Sequence, residues 1–140
     1  MDAEQIRRVQ ITFEKIAPIR TSLGMLFYRR LFELDPTLRQ LFTGDIAAQS
    51  RKLMTMLEFV VDNLGQFDTV LPHAQALGQA HVGYGVQDAH YKVVGDALLW
   101  AIQAALEDEL SEDDARAWME AYTLLATTMR TAHREETSEI

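Results

Sequence analysis

The chain has 140 residues, a formal net charge of −8 at pH 7, 48% hydrophobic residues and no cysteine. That length fits one domain, residues 1–140, able to bury roughly 70% of its unfolded surface, and the lack of cysteine excludes disulfides, thiolate metal sites and cysteine nucleophiles. The negative charge repels phosphate backbones and anionic lipids, and the N-terminal "MDAEQIRRVQITFEKIAP" lacks the unbroken apolar run of a signal peptide or membrane span, so a soluble, cytoplasmic protein without nucleic-acid or membrane partners is expected.

Apolar residues recur at helical spacing almost throughout, and no useful segment alternates with a period of two, which predicts an all-α fold. The first helix is expected to start at Asp2, whose carboxylate caps free N–H groups while Gln5 reaches back. Its core stripe is Ile6, Val9, Phe13 and Ile16, and Pro18 ends or bends it. A second helix carries Leu23, Leu26, Phe27, Leu31 and Leu34 and stops where Pro36 forces Asp35 toward extended geometry. "PTLRQLF" reads as a short helix opened by its proline, and Thr43, Gly44 and Asp45 as a loop. The helix "IAAQSRKLMTMLEFVVDNL" places Ile46, Leu53, Leu57, Val60 and Leu64 on one face. Past Gly65, "TVLPHAQALGQAH" aligns Val70, Ala74, Leu77 and His81. Two further helices are expected from about Asp88 to Leu106 and from Ser111 to about Ala132, the latter capped by Ser111 with Asp114 and followed by a frayed polar tail, "HREETSEI".

Three polar residues interrupt these faces. Gln49 lies three residues after Ile46 and four before Leu53, and a buried amide without partners costs about 1–3 kcal/mol. Tyr28 sits beside Phe27, where a buried hydroxyl needs a partner. His81 ends an apolar stripe. Taken singly, each also reads as a boundary glutamine, a core-edge tyrosine bonded to a carbonyl, and a hydrogen-bonded core histidine. No His-x-x-x-His or Glu-x-x-His pair completes a protein-only metal cage, so an ion at His81 must bring its other ligands, as a haem iron does. His73 and His90 read as surface histidines and Met54, Met56, Met119 and Met129 as core filler, with Met56 within reach of a pocket.

Together "LGQAHVGYGVQDAHYKVVGDALL", "LFYRRLF", "DPTLRQLF" and "QSRKLM" resemble the globins, specifically bacterial single-domain globins related to flavohaemoglobin haem domains and similar to neuroglobin, from about Glu4 to Arg130. The resemblance implies a globin fold of seven to eight helices around haem b, with His81 as the iron ligand. It makes Tyr28 and Gln49 the catalytic pair on the opposite side, and implies that Phe42, Leu53, Leu57, Leu77, Tyr84, Val86, Tyr91 and Val94 line the ring. Lys52 reads either as a plain solvated lysine or as a partner for a haem propionate, its stem covering the ring edge. In flavohaemoglobins a tyrosine and a glutamate hold the iron-ligating histidine. Tyr91 matches the tyrosine, but His133 stands near the glutamate's place with Glu135 close by, which leaves a backbone carbonyl such as that of Leu77 as the alternative acceptor for His81.

The implied activity is tight O₂ binding through the Tyr28 and Gln49 donors, with consumption of NO or reduction of nitrite at the haem. The gases O₂, NO and CO are the ligands. A separate reductase is the expected electron donor, because the sequence ends without the flavin and nicotinamide domains of a flavohaemoglobin. The alternatives are an O₂ store or gas sensor without turnover and, more remotely, a haem-free interaction protein. Assembly as a homodimer is left open.

Overall fold

Asp2 opens α1 (Ala3–Ile16) in the computed structural model, its carboxylate accepting the Gln5 N–H at 2.8 Å while the Gln5 side chain accepts the Asp2 N–H at 3.0 Å. This reciprocal pair satisfies two donors that a helix start leaves free. The structure describes residues 1–42, 44–83 and 89–138, with side chains for 1–42, 44–78 and 89–131. Among the described residues the chain is all-α, with six α-helices joined in part by four short 3₁₀ turns, where seven to eight helices were expected.

Pro18 falls in the 3₁₀ turn Ala17–Ile19, which bends the chain into α2 (Arg20–Leu34). Asp35 then adopts extended backbone (φ −147°, ψ 91°) ahead of Pro36, and its carboxylate caps the 3₁₀ segment Pro36–Leu41 through the Thr37 N–H. Asp45 caps α3 (Ile46–Asp62) through the Ala47 N–H at 3.0 Å. The turn Leu64–Gln66 leads into α4 (Phe67–Gly83), and α5 (His90–Leu106) follows. Ser111 and Asp114 exchange hydrogen bonds of 3.1 Å to open α6 (Glu112–Ser138).

Helix α6 runs six residues past Ala132 because "HREETS" contains neither glycine nor proline and is rich in residues that tolerate helix. Leu34, assigned to a core stripe, is 42% exposed at the last turn of α2.

The core is assembled from Val9, Ile16, Leu23, Leu31, Val70 and Ile102, all essentially inaccessible to solvent. Helix α4 lies along α6, while α2 crosses α3 and α5. Long-range ties fix these helices: Gln10 Nε2 donates to the Val61 carbonyl at 3.1 Å, and Arg20 pairs with Glu58 at 2.7 Å.

Arg8 on α1 reaches Asp114 at 3.1 Å and Glu4 at 3.0 Å. Desolvation pushes the Asp114 carboxyl up, but hydrogen bonds from the Ser111 backbone and from Arg8 outweigh it and hold the group below its usual 3.8. A carboxyl depressed in the folded state adds stability above its unfolded value and loses it as pH falls through the folded one. Wild-type protein should therefore lose more stability than Asp114→Asn between about pH 5 and pH 3 in denaturant titrations. Parallel acid curves for the two proteins would remove Asp114 from that account.

Glu107, at the C-terminal cap of α5, has φ 49° and ψ −117°. An L side chain there is strained by about 1–3 kcal/mol, whereas glycine adds only roughly 0.5–1 kcal/mol of unfolded-chain entropy to be lost. Glu107→Gly should stabilise the protein by about 1 kcal/mol, read from the denaturation midpoint.

Candidate functional site

The site grows from the place where α2 and α3 touch. A Cβ on Gly24 would sit 2.8 Å from Ser50 Oγ and 2.9 Å from Ser50 Cβ, so only glycine lets the two helices come this close without something shifting. One turn after Gly24 stands Tyr28, and beside Ser50 stands Gln49. The close crossing sets the phenol and the amide side by side.

Tyr28 is 3% exposed. Burial pushes its phenol up to about 12, with the polar side chain of Gln49 working in the opposite direction. At neutral pH the hydroxyl therefore keeps its proton and can donate. Gln49 itself is half-buried.

Phe27, Phe32 and Phe42 form an aromatic wall around this phenol. The Phe42 ring meets Tyr28 edge-on at 5.4 Å, Phe27 does so at 4.8 Å, and Phe32 lies 6.1 Å from Tyr28 and 5.6 Å from Phe42. Edge-to-face pairs at such distances are favoured by the ring quadrupoles. Arg39 holds the corner: its guanidinium lies 5.5 Å over Phe32 and donates to the Phe42 carbonyl at 2.7 Å.

Along α3, Leu57 is buried, Leu53 half-buried and Lys52 exposed. On the other side, Leu77 of α4 and Val94 of α5 are half-buried and Tyr91 of α5 is buried. The backbone of α4 continues as helix through His81, whose side chain lies outside the described residues, as do Tyr84 and Val86 and the side chains of His133 and Glu135.

Tyr122 of α6 lies across Gly95, where an added Cβ would stand 2.6 Å from its ring, and donates its hydroxyl to the Tyr91 carbonyl. Burial holds its phenol far above the ordinary value. This contact ties the start of α5 to α6.

Several neighbours of the candidate residues were not singled out by sequence: Gly24, Ser50, Phe32, Arg39 and Tyr122. Only Gly24 carried a local signal, a helix-interior glycine that propensity alone disfavours. Of the remaining histidines, His73 is exposed with its ring 4.9 Å from Phe59, whereas His90 is half-buried rather than at the surface. Met54 and Met129 are buried and Met56 half-buried, but Met119 is 37% exposed and is no core filler, because it lies on the outward side of α6. Among the described residues no cluster of three or more His, Asp or Glu side chains can hold a metal alone.

The profile of the Globin family matches residues 26–129. Over 133 residues the chain is 31% identical to a flavohemoprotein of Chromobacterium violaceum, an alignment covering 92% of this chain and 33% of that protein. The chain thus spans about a third of the length of such flavohemoproteins. Neuroglobin-1 of Oncorhynchus mykiss is 24% identical over 86% of this chain and 85% of its own length, and a globin-like protein of Aquifex aeolicus is 28% identical over 96% of both. The crystal structure of a hexacoordinated heme protein from an anhydrobiotic tardigrade superposes with a TM-score of 0.86 over 96% of each chain at 17% identity, which shows a shared fold. With Tyr28, Gln49, α4 and α5 all inside a family match that takes in well over half of its residues, the chain belongs to the globin family.

Proposed function

We propose that this globin, a single domain over residues 1–140, holds haem b through His81 and uses Tyr28 and Gln49 to retain O₂ and consume NO as nitrate. The observation that carries the proposal is the buried Tyr28 phenol, set beside Gln49 inside a wall of aromatic rings. The surrounding residues fit such a group. Phe42, Leu53, Leu77 and Val94 come from four separate segments, and all are apolar yet only half-buried, as side chains facing a flat apolar ring would be.

When bound, haem supplies a reducible iron that takes diatomic gases such as O₂, NO and CO. His81 supplies the single imidazole required, and Leu57, Tyr91 and the apolar side chains of α3, α4 and α5 keep water away. Tyr84 and Val86 are assigned to the same lining on the resemblance alone. Lys52, its head in solvent, is placed to meet a propionate. Tyr28 and Gln49 present preorganised donors where negative charge develops on the gas, and in a dry pocket such donors count for more than in water. Turnover needs electrons, so a reductase is the required partner, and a cytoplasmic setting would suit that supply.

The test is spectroscopic and chemical. The full chain loaded with haem should show a Soret band in ferric, ferrous and CO forms, and the O₂-loaded protein should convert added NO to nitrate in one-to-one yield. A colourless protein after haem supplementation overturns the cofactor assignment. NO uptake without nitrate overturns the reaction and leaves storage or gas sensing.

A further inference from the structure

Met25 stands at the solvent edge of the same helix crossing. It is 46% exposed, and its sulfur accepts a hydrogen bond from Ser50 Oγ at 3.8 Å. Ser50 is 3% exposed and closes against Gly24, and its chain neighbour Gln49 is close enough to Tyr28 to act on its phenol. A half-exposed thioether side chain thus meets the buried hydroxyl of Ser50, the residue next in the chain to Gln49 of the candidate site.

We propose that Met25 is a site of reversible oxidation to the sulfoxide by hydroperoxides, and that the new oxygen engages Ser50 and thereby alters the Tyr28–Gln49 contact. The sulfur lone pair attacks the terminal peroxide oxygen, the S–O bond forms as the O–O bond breaks, and the departing oxygen takes the proton that the transferred oxygen gives up, leaving as an alcohol, or as water when the oxidant is hydrogen peroxide. Sulfur loses two electrons and the peroxide gains them. A thioether is a weak acceptor, whereas a sulfoxide oxygen is a strong and polar one, so the Ser50 hydroxyl gains a better partner than it had. The added oxygen cannot move inward, because Ser50 already lies against Gly24. It must settle at the solvent side of the crossing and draw on Ser50 from there.

Position separates Met25 from the other methionines. Met54 and Met129 are buried, Met56 is half-buried, and the exposed Met1 and Met119 lie before α1 and on α6, away from the α2–α3 crossing. Oxidation at those two sites is expected to leave Tyr28 unaffected. The proposal does not depend on the haem assignment, since every group it uses belongs to α2 and α3.

The experiment treats the full chain with hydrogen peroxide, any haem iron being capped with cyanide so that peroxide meets only side chains. Each methionine is followed by peptide mass mapping and the Tyr28 ring by NMR. The expected result is one added oxygen at Met25 ahead of Met54 and Met129, a shift of the Tyr28 resonances that grows with it, and reversal of both by methionine sulfoxide reductases. Met25→Leu should lose the Tyr28 shift while Met1 and Met119 still oxidise. Ser50→Ala should still oxidise at Met25 but leave Tyr28 unmoved. Met25 remaining reduced while Met119 is oxidised, Met25 oxidised with no change at Tyr28, or a Tyr28 shift that survives Met25→Leu would each overturn the proposal.

Discussion

Tyr28→Phe is expected to speed O₂ release by about ten- to a hundredfold, the equivalent of the roughly 1.5–3 kcal/mol carried by a hydrogen bond to a charged or charge-developing partner. The hydroxyl is the only atom removed. The ring contacts with Phe27 and Phe42 stay available to phenylalanine, so the substitution separates donor chemistry from packing. Stopped-flow replacement of O₂ by CO gives the rate, and thermal denaturation gives the control, which should change little. The pH dependence sharpens the test. With the phenol pushed up to about 12, the donor keeps its proton and the wild-type release rate should stay flat to about pH 10. Because that pKa is raised in the folded state, the neutral phenol adds stability below the unfolded tyrosine value, and the contribution fades as pH rises through the folded one. An unchanged release rate in Tyr28→Phe would mean that the hydroxyl points elsewhere and that Gln49 alone serves the gas.

How much of this was legible in the sequence depends on the range of each interaction. Caps and stops are local, and Asp2 with Gln5, Asp35 before Pro36, and Ser111 with Asp114 all stand in the structure where residue type and spacing placed them. The pairing of Tyr28 with Gln49 is not local, and the residues alone left bland alternatives open for each; only the resemblance to globins joined them. The reason they meet is the Gly24–Ser50 approach, and nothing in either helix's own periodicity announces which glycine will face which serine. Arg8 and Asp114 were out of reach for the same reason, being 106 residues apart. The long α6 was under-read because polarity suggested fraying, whereas a run free of glycine and proline continues a helix already begun.

Gly78 offers the sharper contest between local propensity and packing. It lies in the middle of α4, where replacing glycine by alanine should by propensity alone stabilise the protein by about 1 kcal/mol. Packing predicts the opposite. A Cβ on Gly78 would stand 2.3 Å from the backbone oxygen of Met129 and 2.9 Å from its Cα and carbonyl carbon, and that obstacle is main chain inside α6, which cannot swing aside as a side-chain end can. Helices α4 and α6 would have to separate, breaking contacts along the most extensive helix pair in the fold, and forced overpacking of this kind costs typically 1–3 kcal/mol and occasionally more. With no partial relief available, the packing term should win, so Gly78→Ala is expected to destabilise by about 2–3 kcal/mol and to lower Tm by roughly 10 °C. The effect should reach the proposed site as well, because His81 follows three residues later on the same helix. Haem retention should weaken in Gly78→Ala, measured as faster transfer to an acceptor apoprotein, in step with the loss of stability. A variant as stable as wild type would show that α4 and α6 yield to the methyl group, and with it that their close contact does not set the position of α4.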